Sequence, residues 1–432
     1  MARDLASWLA YLEQLHPVAI ELGLERVRTV FQRLAMERVA PRVVTVTGTN
    51  GKGSTCAFLA SLLAGQGLKV GVYASPHLRH YRERVQINGQ PVTDAQLCSA
   101  FARVEAARGD VSLTYFEMGT LAAFWLFHEA GLDGVVLEVG LGGRLDAVNL
   151  LDADLAIVTS IGLDHAEWLG TTREQVAFEK AGIFRPGRPV VCGDPEPPEV
   201  MVRQAAALGA PLWIRGQDFG LQPDGEGWCW WGRSQEGQSV RFAGLPALSL
   251  PPENAAVALQ AMLLLQPDLQ APGSALQAAC LPGRLDRRWL RRPDGQLLPM
   301  LLDVGHNSHA ATWLAGQLQR QPPAGRRWAV FGLLADKDLA GVLEPLLPQV
   351  DEWLAVTLPT PRARPALELA RTLQACQKPV EVQSSVAAAL DLLLQRAAPD
   401  DEILVLGSFY CVAEGLDWLE RFPEEGGHYV AG

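Results

Sequence analysis

Residues 43 to 55 read Val-Val-Thr-Val-Thr-Gly-Thr-Asn-Gly-Lys-Gly-Ser-Thr, and this stretch decides how the chain around it folds. β-prone residues run into a glycine-rich turn, and a helix-forming segment begins near Ser54. A strand, loop and helix in this order can hold phosphates, because glycine lets backbone N–H groups close on the anion and the helix N-terminus adds its positive dipole end. Lys52 supplies a positive charge for the terminal phosphates, and Ser54 or Thr55 could reach a magnesium ion. The stretch therefore predicts a site for a nucleoside triphosphate.

The glycine spacing of this loop departs from the common phosphate-binding motif. Only Thr49 and Asn50 separate Gly48 from Gly51 and Lys52, where the common motif has a longer run. A chance glycine-rich turn is the alternative interpretation. Because the strand, turn, lysine and hydroxyl all fall in the required order, the pattern favours phosphate binding.

Composition and charge exclude several classes of protein. The chain has 432 residues, of which 48% are apolar and 20% charged, as in soluble globular proteins of two or three domains. A net charge of −11 and the lack of a basic run argue against nucleic-acid binding. Seven scattered cysteines without a Cys-x-x-Cys pair argue against a disulfide framework or a zinc site. There is no signal-peptide layout, and no apolar run approaches the roughly 20 residues of a membrane span. We therefore expect a cytoplasmic protein without nucleic-acid or membrane partners, and a monomer.

Strand and helix patterns alternate along the chain. The strand runs lie at 69–74, 134–139, 154–160 and 189–192, and helical patterns lie between them at 95–107, 118–130 and 173–181. Such alternation predicts a mostly parallel sheet covered on both faces. Residues 212–250, rich in Trp, Gly and Ser, predict a small antiparallel excursion before a helix at 253–265.

A Pro-, Gly- and Arg-rich stretch at 281–295 separates this block from a second alternating block. The strand patterns of the second block lie at 297–303, 328–331, 353–356 and 403–406. The predicted fold is therefore α/β, with a P-loop-type, mostly parallel sheet domain followed by a smaller Rossmann-like α/β domain. We predict the first domain over residues 1–284, a linker over 285–296 and the second domain over 297–432.

Two polar residues follow strands at the sheet edge where the phosphate loop also ends. Glu138 ends a strand before Gly-Leu-Gly-Gly, and a carboxylate at that edge can hold magnesium against phosphates. A dinucleotide-binding fingerprint is disfavoured because its third glycine is missing, and a tight turn with a solvated Glu138 is the alternative. His165 follows the next strand, and a metal or phosphate role and a structural role both stay open.

Three further motifs are ambiguous when each is taken alone. Lys180 lies beside Glu179, a pair that more often indicates a solvated surface, although only five of the 37 basic residues are lysines. Asp303, followed by Val-Gly-His-Asn, suits ribose and phosphate contacts, and Arg284 could bind a phosphate. Capping or linker roles are equally open for both.

Together these motifs resemble the Mur ligase superfamily, and within it the dihydrofolate synthase/folylpolyglutamate synthase branch. The resemblance runs nearly end to end. The stretches that carry it are 21–26, 47–54, 75–78, 83–85, 113–117, 138–146, 163–165, 179–182, 281–284, 303–307 and 407–409.

The resemblance implies an ATP-dependent ligase. A substrate carboxylate takes the γ-phosphoryl group of ATP, and the amine of L-glutamate attacks the resulting acyl phosphate. The implied ATP contacts are Thr49, Asn50, Gly51, Lys52, Gly53, Ser54, Asn254, Arg284 and Asp303. The implied ligands of magnesium, with two ions expected, are Ser75, Glu138 and His165. Lys180 aligns with a carbamylated lysine of the family, and the expected catalytic residues are Lys52, Lys180 and His306, the last as a candidate base.

Three segments resemble those that bind dihydropteroate. They comprise Glu21, Leu22, Gly23, Leu24, Thr114, Tyr115, Phe116, Glu117, Leu145, Asp146 and Ala147. They favour a chain that acts on 7,8-dihydropteroate and on reduced folates, and a folylpolyglutamate synthase without the first activity is the alternative. Three residues depart from the family pattern: Gly305 replaces a more usual alanine, Ser308 a usual proline and Tyr410 a common histidine. The rival classes are a nucleotide-gated binding module, a dinucleotide-dependent oxidoreductase and a peptidoglycan-precursor ligase.

Overall fold

The computed structural model describes residues 3–36, 38–225, 227–266, 268–269, 272–291 and 295–421. The chain divides into two compact units, Met1–Cys280 and Leu281–Gly432. In the part of the chain that the structure describes, none of the helices combines the length and the hydrophobicity of a membrane span.

The first unit is built on an eight-stranded sheet. Its strands are β1 (Val43–Thr47), β2 (Val70–Tyr73), β3 (Val85–Ile87), β4 (Gln90–Pro91), β5 (Gly134–Glu138), β6 (Leu155–Val158), β7 (Val190–Cys192) and β8 (Leu212–Ile214). Their order is β4-β3-β2-β5-β1-β6-β7-β8. In this order, the pairs formed by β2, β5, β1, β6, β7 and β8 are all parallel. The pairs β4 with β3 and β3 with β2, at one edge of the sheet, are antiparallel. This confirms the predicted mostly parallel sheet and places β1 at its centre.

Ten helices surround this sheet among the described residues. They are α1 (Leu5–Gln14), α2 (Glu25–Leu34), α3 (Lys52–Gly65), α4 (Asp94–Arg108), α5 (Tyr115–Ala130), α6 (Ala166–Leu169), α7 (Arg173–Ala181), α8 (Glu199–Ala207), α9 (Pro252–Leu265) and α10 (Gly273–Ala278). One core cluster joins alternate strand residues to α1, α2, α4, α5, α7 and α8. Helices α3 and α9 pack against each other and against the strands. Because successive side chains of a strand point to opposite faces, the fully buried strands are covered on both sides.

The predicted antiparallel excursion is confirmed as a small separate sheet. Its strands are β9 (Gly220–Asp224), β10 (Gly227–Arg233) and β11 (Ser239–Leu245), and β10 lies between the other two. Trp230 of β10 is fully buried and donates its indole N–H to the carbonyl of Ala256 in α9, at 3.2 Å. This contact joins the small sheet to the helix that follows it.

The second unit contains a six-stranded sheet and five helices within its described part. The strands are β12 (Asp286–Arg291), β13 (Leu297–Asp303), β14 (Arg327–Phe331), β15 (Glu352–Val356), β16 (Val380–Gln383) and β17 (Glu402–Leu406), in the order β12-β13-β17-β14-β15-β16. The helices are α11 (Ser308–Arg320), α12 (Leu339–Leu346), α13 (Ala366–Ala375), α14 (Val386–Arg396) and α15 (Phe409–Leu419). Every pair is parallel except β12 with β13. The predicted smaller α/β fold is confirmed.

Strand β12 lies within residues 285–296, for which the sequence predicts a linker. Its residues pair with β13 along its whole length, from Asp286 opposite Leu302 to Arg291 opposite Leu297. The arginine-rich composition hides this strand, because an edge strand tolerates charged side chains that a central strand would exclude.

Candidate functional site

The phosphate loop follows the central strand β1, and α3 begins at Lys52. Gly51 has a φ of +86°, and a Cβ atom there would lie 2.5 Å from Oδ1 of Asn254. A Cβ atom on Gly48 would lie 1.8 Å from Oγ1 of Thr159. Both positions therefore require glycine, for close approach and, at Gly51, also for backbone conformation. Asn254, predicted to contact ATP, lies in α9 directly against this loop.

The amine of Lys52 lies over the loop that precedes it. Nζ donates to the carbonyl of Gly48 at 3.0 Å and more weakly to that of Thr49 at 3.4 Å. The predicted ATP contacts of this loop thus form one local structure, with a cation at the helix start where an anion is favoured.

A second loop, after β6, contacts the phosphate loop and was not predicted to do so. Ser160 accepts the N–H of Thr49 at its carbonyl and the N–H of Asn50 at its hydroxyl, both at 3.0 Å. Thr159 donates its hydroxyl to the carbonyl of Asn50 at 2.6 Å. The hydrogen bonds that the N–H groups of Thr49 and Asn50 donate to Ser160 therefore fix the conformation of the phosphate loop. The only sequence signal was a Thr-Ser pair after a strand.

Two of the three predicted magnesium ligands lie together. Glu138 ends β5, is buried, and accepts the backbone N–H of Ser75 at 3.2 Å. The alternative of a solvated Glu138 is therefore wrong. His165 follows β6 on the other side of β1, with a φ of +51° and a half-exposed side chain whose Nε2 is 3.9 Å from Oδ2 of Asp164.

The donor set of these residues fits magnesium. No cluster of three or more His, Cys, Asp or Glu side chains with metal-site geometry occurs in the described part of the chain. Magnesium does not require one, because it is usually bound by one or two carboxylates together with substrate phosphates and water. A buried carboxylate beside a serine, at the edge where the phosphate loop ends, matches that preference.

Lys180 is buried in the last turn of α7, with 2% of its surface exposed. The alternative of a solvated surface charge is therefore wrong. Burial, and to a smaller extent the charge of Lys52, lower the pKa of its amine to about 7, although the charge of Asp164 acts in the opposite direction. Its neighbour Glu179 instead accepts a hydrogen bond from Arg144 at 2.9 Å. The chain thus places a partly neutral amine close to the phosphate loop.

The three segments with pterin-site resemblance converge in the first unit. Arg26 contacts both Glu21 and Glu117, the latter at 2.9 Å. Gly23 donates its N–H to the carbonyl of Leu145 at 3.3 Å. The remaining residues of the three segments lie in the loop before α2, at the start of α5 and at the short 3₁₀ helix Ala147–Leu150. They are Leu22, Leu24, Thr114, Tyr115, Phe116, Asp146 and Ala147.

Asp146 and Phe116 meet at Gly140. A Cβ atom on Gly140 would lie 2.8 Å from the Phe116 ring and 3.3 Å from Oδ2 of Asp146. Burial raises the pKa of the Asp146 carboxyl to about 6, although backbone N–H groups of Leu141 and Val148 donate to it at 2.9 and 3.0 Å. Thr114 and Glu117 also form the capping box of α5, so both have a structural role as well.

In the second unit, the predicted ATP contacts gather at the ends of β13 and β17. Asp303 is buried and accepts the N–H groups of Leu285 and Gly305 at 3.0 and 2.7 Å. Burial raises the pKa of its carboxyl, and the charge of Arg284 acts against this. The Arg284 guanidinium and the His306 ring lie 5.8 and 6.1 Å from the ring centre of Phe409. Arg284, Asp303 and His306 therefore belong to one cluster, whereas Tyr410 is exposed.

Comparison with known families and proteins gives consistent matches. Residues 46–194 match the Mur ligase middle domain, and residues 283–409 match the Mur ligase glutamate ligase domain. The dihydrofolate synthase/folylpolyglutamate synthase of Escherichia coli (strain K12) is 44% identical over 421 residues, which cover 97% of this chain and 96% of the relative. The protein of the same name from Haemophilus influenzae is 43% identical, with 95% and 96% covered.

Solved structures give the same match. E. coli FolC in complex with DHPP and ADP superposes with a TM-score of 0.89 at 44% identity, covering 97% of this chain and 98% of that one. A bifunctional folylpolyglutamate synthase/dihydrofolate synthase with Mn, AMPPNP and L-glutamate bound has a TM-score of 0.87 at 45% identity, with the same coverage.

Proposed function

Because the chain belongs to the dihydrofolate synthase/folylpolyglutamate synthase family of Mur ligases, we propose that it is an ATP-dependent ligase with two acceptors. It adds L-glutamate to 7,8-dihydropteroate, giving dihydrofolate, and to reduced folates, giving polyglutamates. The observation that carries the proposal is the convergence of the three pterin-type segments, Arg26 with Glu21 and Glu117 and Gly23 with Leu145, in the unit that holds the phosphate loop. It favours the bifunctional enzyme over the polyglutamate-only alternative.

Phosphoryl transfer needs positioning and charge stabilisation more than covalent help from the protein. Lys52, the first residue of α3, would bind the terminal phosphates of ATP, and Asn254, which lies against the loop at Gly51, would contact the nucleoside. Ser75, Glu138 and His165 would hold magnesium, with two ions proposed, and magnesium supplies positive charge that stabilises the γ-phosphoryl group during transfer. Related structures that contain Mn with AMPPNP support a divalent ion beside the nucleotide.

The buried amine of Lys180 supports a carbamate at this position. An amine with a pKa of about 7 is substantially neutral at physiological pH, and the neutral form is the one that reacts with carbon dioxide. The carbamate would place an anion near Lys52 and relieve the repulsion between two cations. In the second unit, Arg284 and Asp303 would bind phosphate and ribose, and His306 is the candidate base for the incoming amine.

The remaining parts of the proposal concern the domain boundaries, the cellular compartment and the oligomeric state. Residues 1–284 would form the ATP- and pterin-binding domain and residues 297–432 the glutamate ligase domain. Strand β12, which lies in the predicted linker 285–296, would belong to the glutamate ligase domain, because it pairs with β13. Matches of the family models to 46–194 and 283–409 support this division. A cytoplasmic monomer remains our expectation, and seven free cysteines support a reducing compartment.

The test is ATP-dependent phosphate release with L-glutamate, comparing 7,8-dihydropteroate with tetrahydrofolate as acceptor. Release with both supports the bifunctional enzyme, and release with tetrahydrofolate alone supports the polyglutamate-only alternative. ATP binding without release would favour a nucleotide-gated module instead. Lys52→Ala should lower turnover by orders of magnitude, whereas Lys69→Ala, before β2 in the same unit, should leave it unchanged.

A further inference from the structure

The backbone of Ile161, in the loop after β6, is held from both sides by two charged residues. Its N–H donates to Oδ2 of Asp194 at 3.2 Å, and its carbonyl accepts Nε of Arg173 at 3.1 Å. Arg173 and Asp194 also pair with each other at 2.8 Å. The three residues thus form a closed ring, in which both polar groups of one peptide residue are bonded to an ion pair.

The residues on either side of Ile161 bind the phosphate loop. Ser160 accepts the N–H groups of Thr49 and Asn50. Gly162 exchanges two hydrogen bonds with the hydroxyl of Thr49, both at 2.9 Å. In the segment 160–162, the two outer residues therefore form hydrogen bonds with the phosphate loop, and the middle residue forms hydrogen bonds with the ion pair.

We propose that Arg173 and Asp194, called here the Ile161 clamp, are positioning residues for the nucleotide phosphates. They act through segment 160–162, which fixes Thr49 and Asn50 at the start of the phosphate loop. The proposal rests on the proposed function in one respect, namely that this loop binds ATP. Neither residue is among those predicted from the sequence. Their side chains bond to the backbone of Ile161, to each other and to the backbone of Glu196.

The burial of the clamp suits a positioning role better than a purely stabilising one. The Arg173 side chain is 46% exposed, and ion pairs exposed to this degree contribute little to the free energy of unfolding. The Asp194 side chain is only 10% exposed, and it also accepts the N–H of Glu196 at 3.0 Å. Loss of the clamp would free the Ile161 peptide and, with it, the two residues that shape the phosphate loop.

The clamp is also close along the chain to two other predicted site residues, Lys180 and His165, so its loss should affect them as well. Arg173 is the first residue of α7, whose last turn carries Lys180. His165 lies in the same loop as Ile161, before α6. Residues that orient metal ligands indirectly typically change metal affinity or activity by about 10- to 100-fold when they are replaced.

The chain offers a matched control pair at the opposite end of the same strands. Oδ2 of Asp154 accepts the N–H of Val43, the first residue of β1, at 2.9 Å. Arg188 lies 3.4 Å from Oδ1 of Asp154. This pair also joins a backbone N–H, an aspartate and an arginine in one sheet, but it lies at the amino ends of the strands, away from the phosphate loop.

The experiment compares Asp194→Ala and Arg173→Met with the control variants Asp154→Ala and Arg188→Met in the full chain. Calorimetry with a non-hydrolysable ATP analogue and magnesium measures the Kd, and steady-state kinetics separates KM for ATP from kcat. We expect the clamp variants to bind the analogue about tenfold more weakly, the loss typical of a hydrogen bond to a charged group, and KM for ATP to rise. The control variants should keep wild-type Kd while losing similar thermal stability. Arg173→Lys and Asp194→Asn should restore part of the affinity, and they also decide the question if the larger replacements do not fold.

Hydrogen exchange of residues 49–50 provides a readout that needs no nucleotide. The clamp variants should lose protection there, and the control variants should not. Wild-type Kd and unchanged exchange in the clamp variants would overturn the proposal, as would equal losses in the control pair. If the wild-type chain itself bound no ATP analogue, the proposed function would fail, and the exchange data alone would still decide whether the clamp fixes the loop.

Discussion

Lys180 is buried and lies in the electrostatic field of Lys52, another of the five lysines of this chain. Burial lowers the pKa of Lys180 to about 7, and the neighbouring cation contributes in the same direction. The proposed carbamate would require a lysine at this position, because it forms only on an amine that can lose its proton. An arginine could not replace it, because a guanidinium group stays protonated.

Replacement of Lys180 tests the carbamate directly. Lys180→Ala should abolish ligase turnover, because the anion that would organise the metal site is missing. A small carboxylate such as formate should restore part of the activity by occupying the vacated space, and phosphate release is the measurement. Lys180→Met serves as the comparison, because its bulk leaves no space for the carboxylate. Full activity of Lys180→Ala without any carboxylate would rule the carbamate out.

The lowered pKa also predicts a dependence on pH and on carbon dioxide. Activity of the wild-type chain should fall as the pH drops below about 7, where the Lys180 amine is protonated and unreactive. Removing carbon dioxide and bicarbonate at pH 7.5–8, values chosen about one unit above that pKa, should lower it as well. The check is turnover across pH in degassed and bicarbonate-supplemented buffers, and identical curves in the two buffers would contradict the prediction.

The same shift has a defined sign for stability. Between the folded pKa of about 7 and the ordinary lysine pKa of 10.5, the unfolded chain binds more protons at Lys180 than the folded chain does. The contribution of this residue to the free energy of unfolding therefore rises with pH across that window and is constant below it. Without carbon dioxide, Lys180→Met should remove this rise, and urea unfolding of the two proteins across the window measures it.

Local sequence patterns predicted the fold because its decisive elements are local. The β-branched run of β1, the glycines before Lys52 and the buried run of β5 each fix a structure within a few residues. The edge strand β12 escaped prediction, because its arginines mask a pairing that depends on β13.

The sequence predicted those site residues that belong to a recognisable local motif. Lys52 and Glu138 follow strands whose ends meet at one edge of the sheet, so spacing alone indicated them. The contacts of Ser160 with the phosphate loop and of Arg26 with Glu117 join residues about a hundred positions apart or more. Nothing in the local pattern specifies such pairs, because they depend on how the helices pack on the sheet.

Two glycines of similar conformation separate backbone strain from close approach at the phosphate loop. Gly51 and Gly67 have φ values of +86° and +77°, but only at Gly51 would a Cβ atom strike another side chain, that of Asn254. Gly67→Ala should cost about 1 kcal/mol of stability and leave nucleotide affinity unchanged. Gly51→Ala should cost more and weaken binding of an ATP analogue at least about tenfold, because the loop must shift. Thermal unfolding and calorimetry of both variants give the comparison, and equal nucleotide affinities would contradict it.

Arg26 tests whether the converging segments bind the pterin acceptor. It contacts Glu21 and Glu117, and the Glu117 carboxylate is 3% exposed. Arg26→Met should therefore separate the two segments and leave a buried carboxylate without its cation, which is costly. We expect KM for 7,8-dihydropteroate to rise at least about tenfold, as for the loss of a charged hydrogen bond, while the affinity for an ATP analogue stays unchanged.

Arg33 provides the control, because it lies in the same helix α2 and bonds to the carbonyl of Arg108, at 2.6 Å, rather than to the pterin segments. Arg33→Met should change neither KM nor nucleotide affinity. Calorimetry with each ligand, together with kinetics on both acceptors, distinguishes the outcomes. If Arg26→Met weakened dihydropteroate and the ATP analogue equally, the residue would be acting through the stability of the whole unit. An unchanged KM for dihydropteroate would place the pterin acceptor elsewhere in the chain.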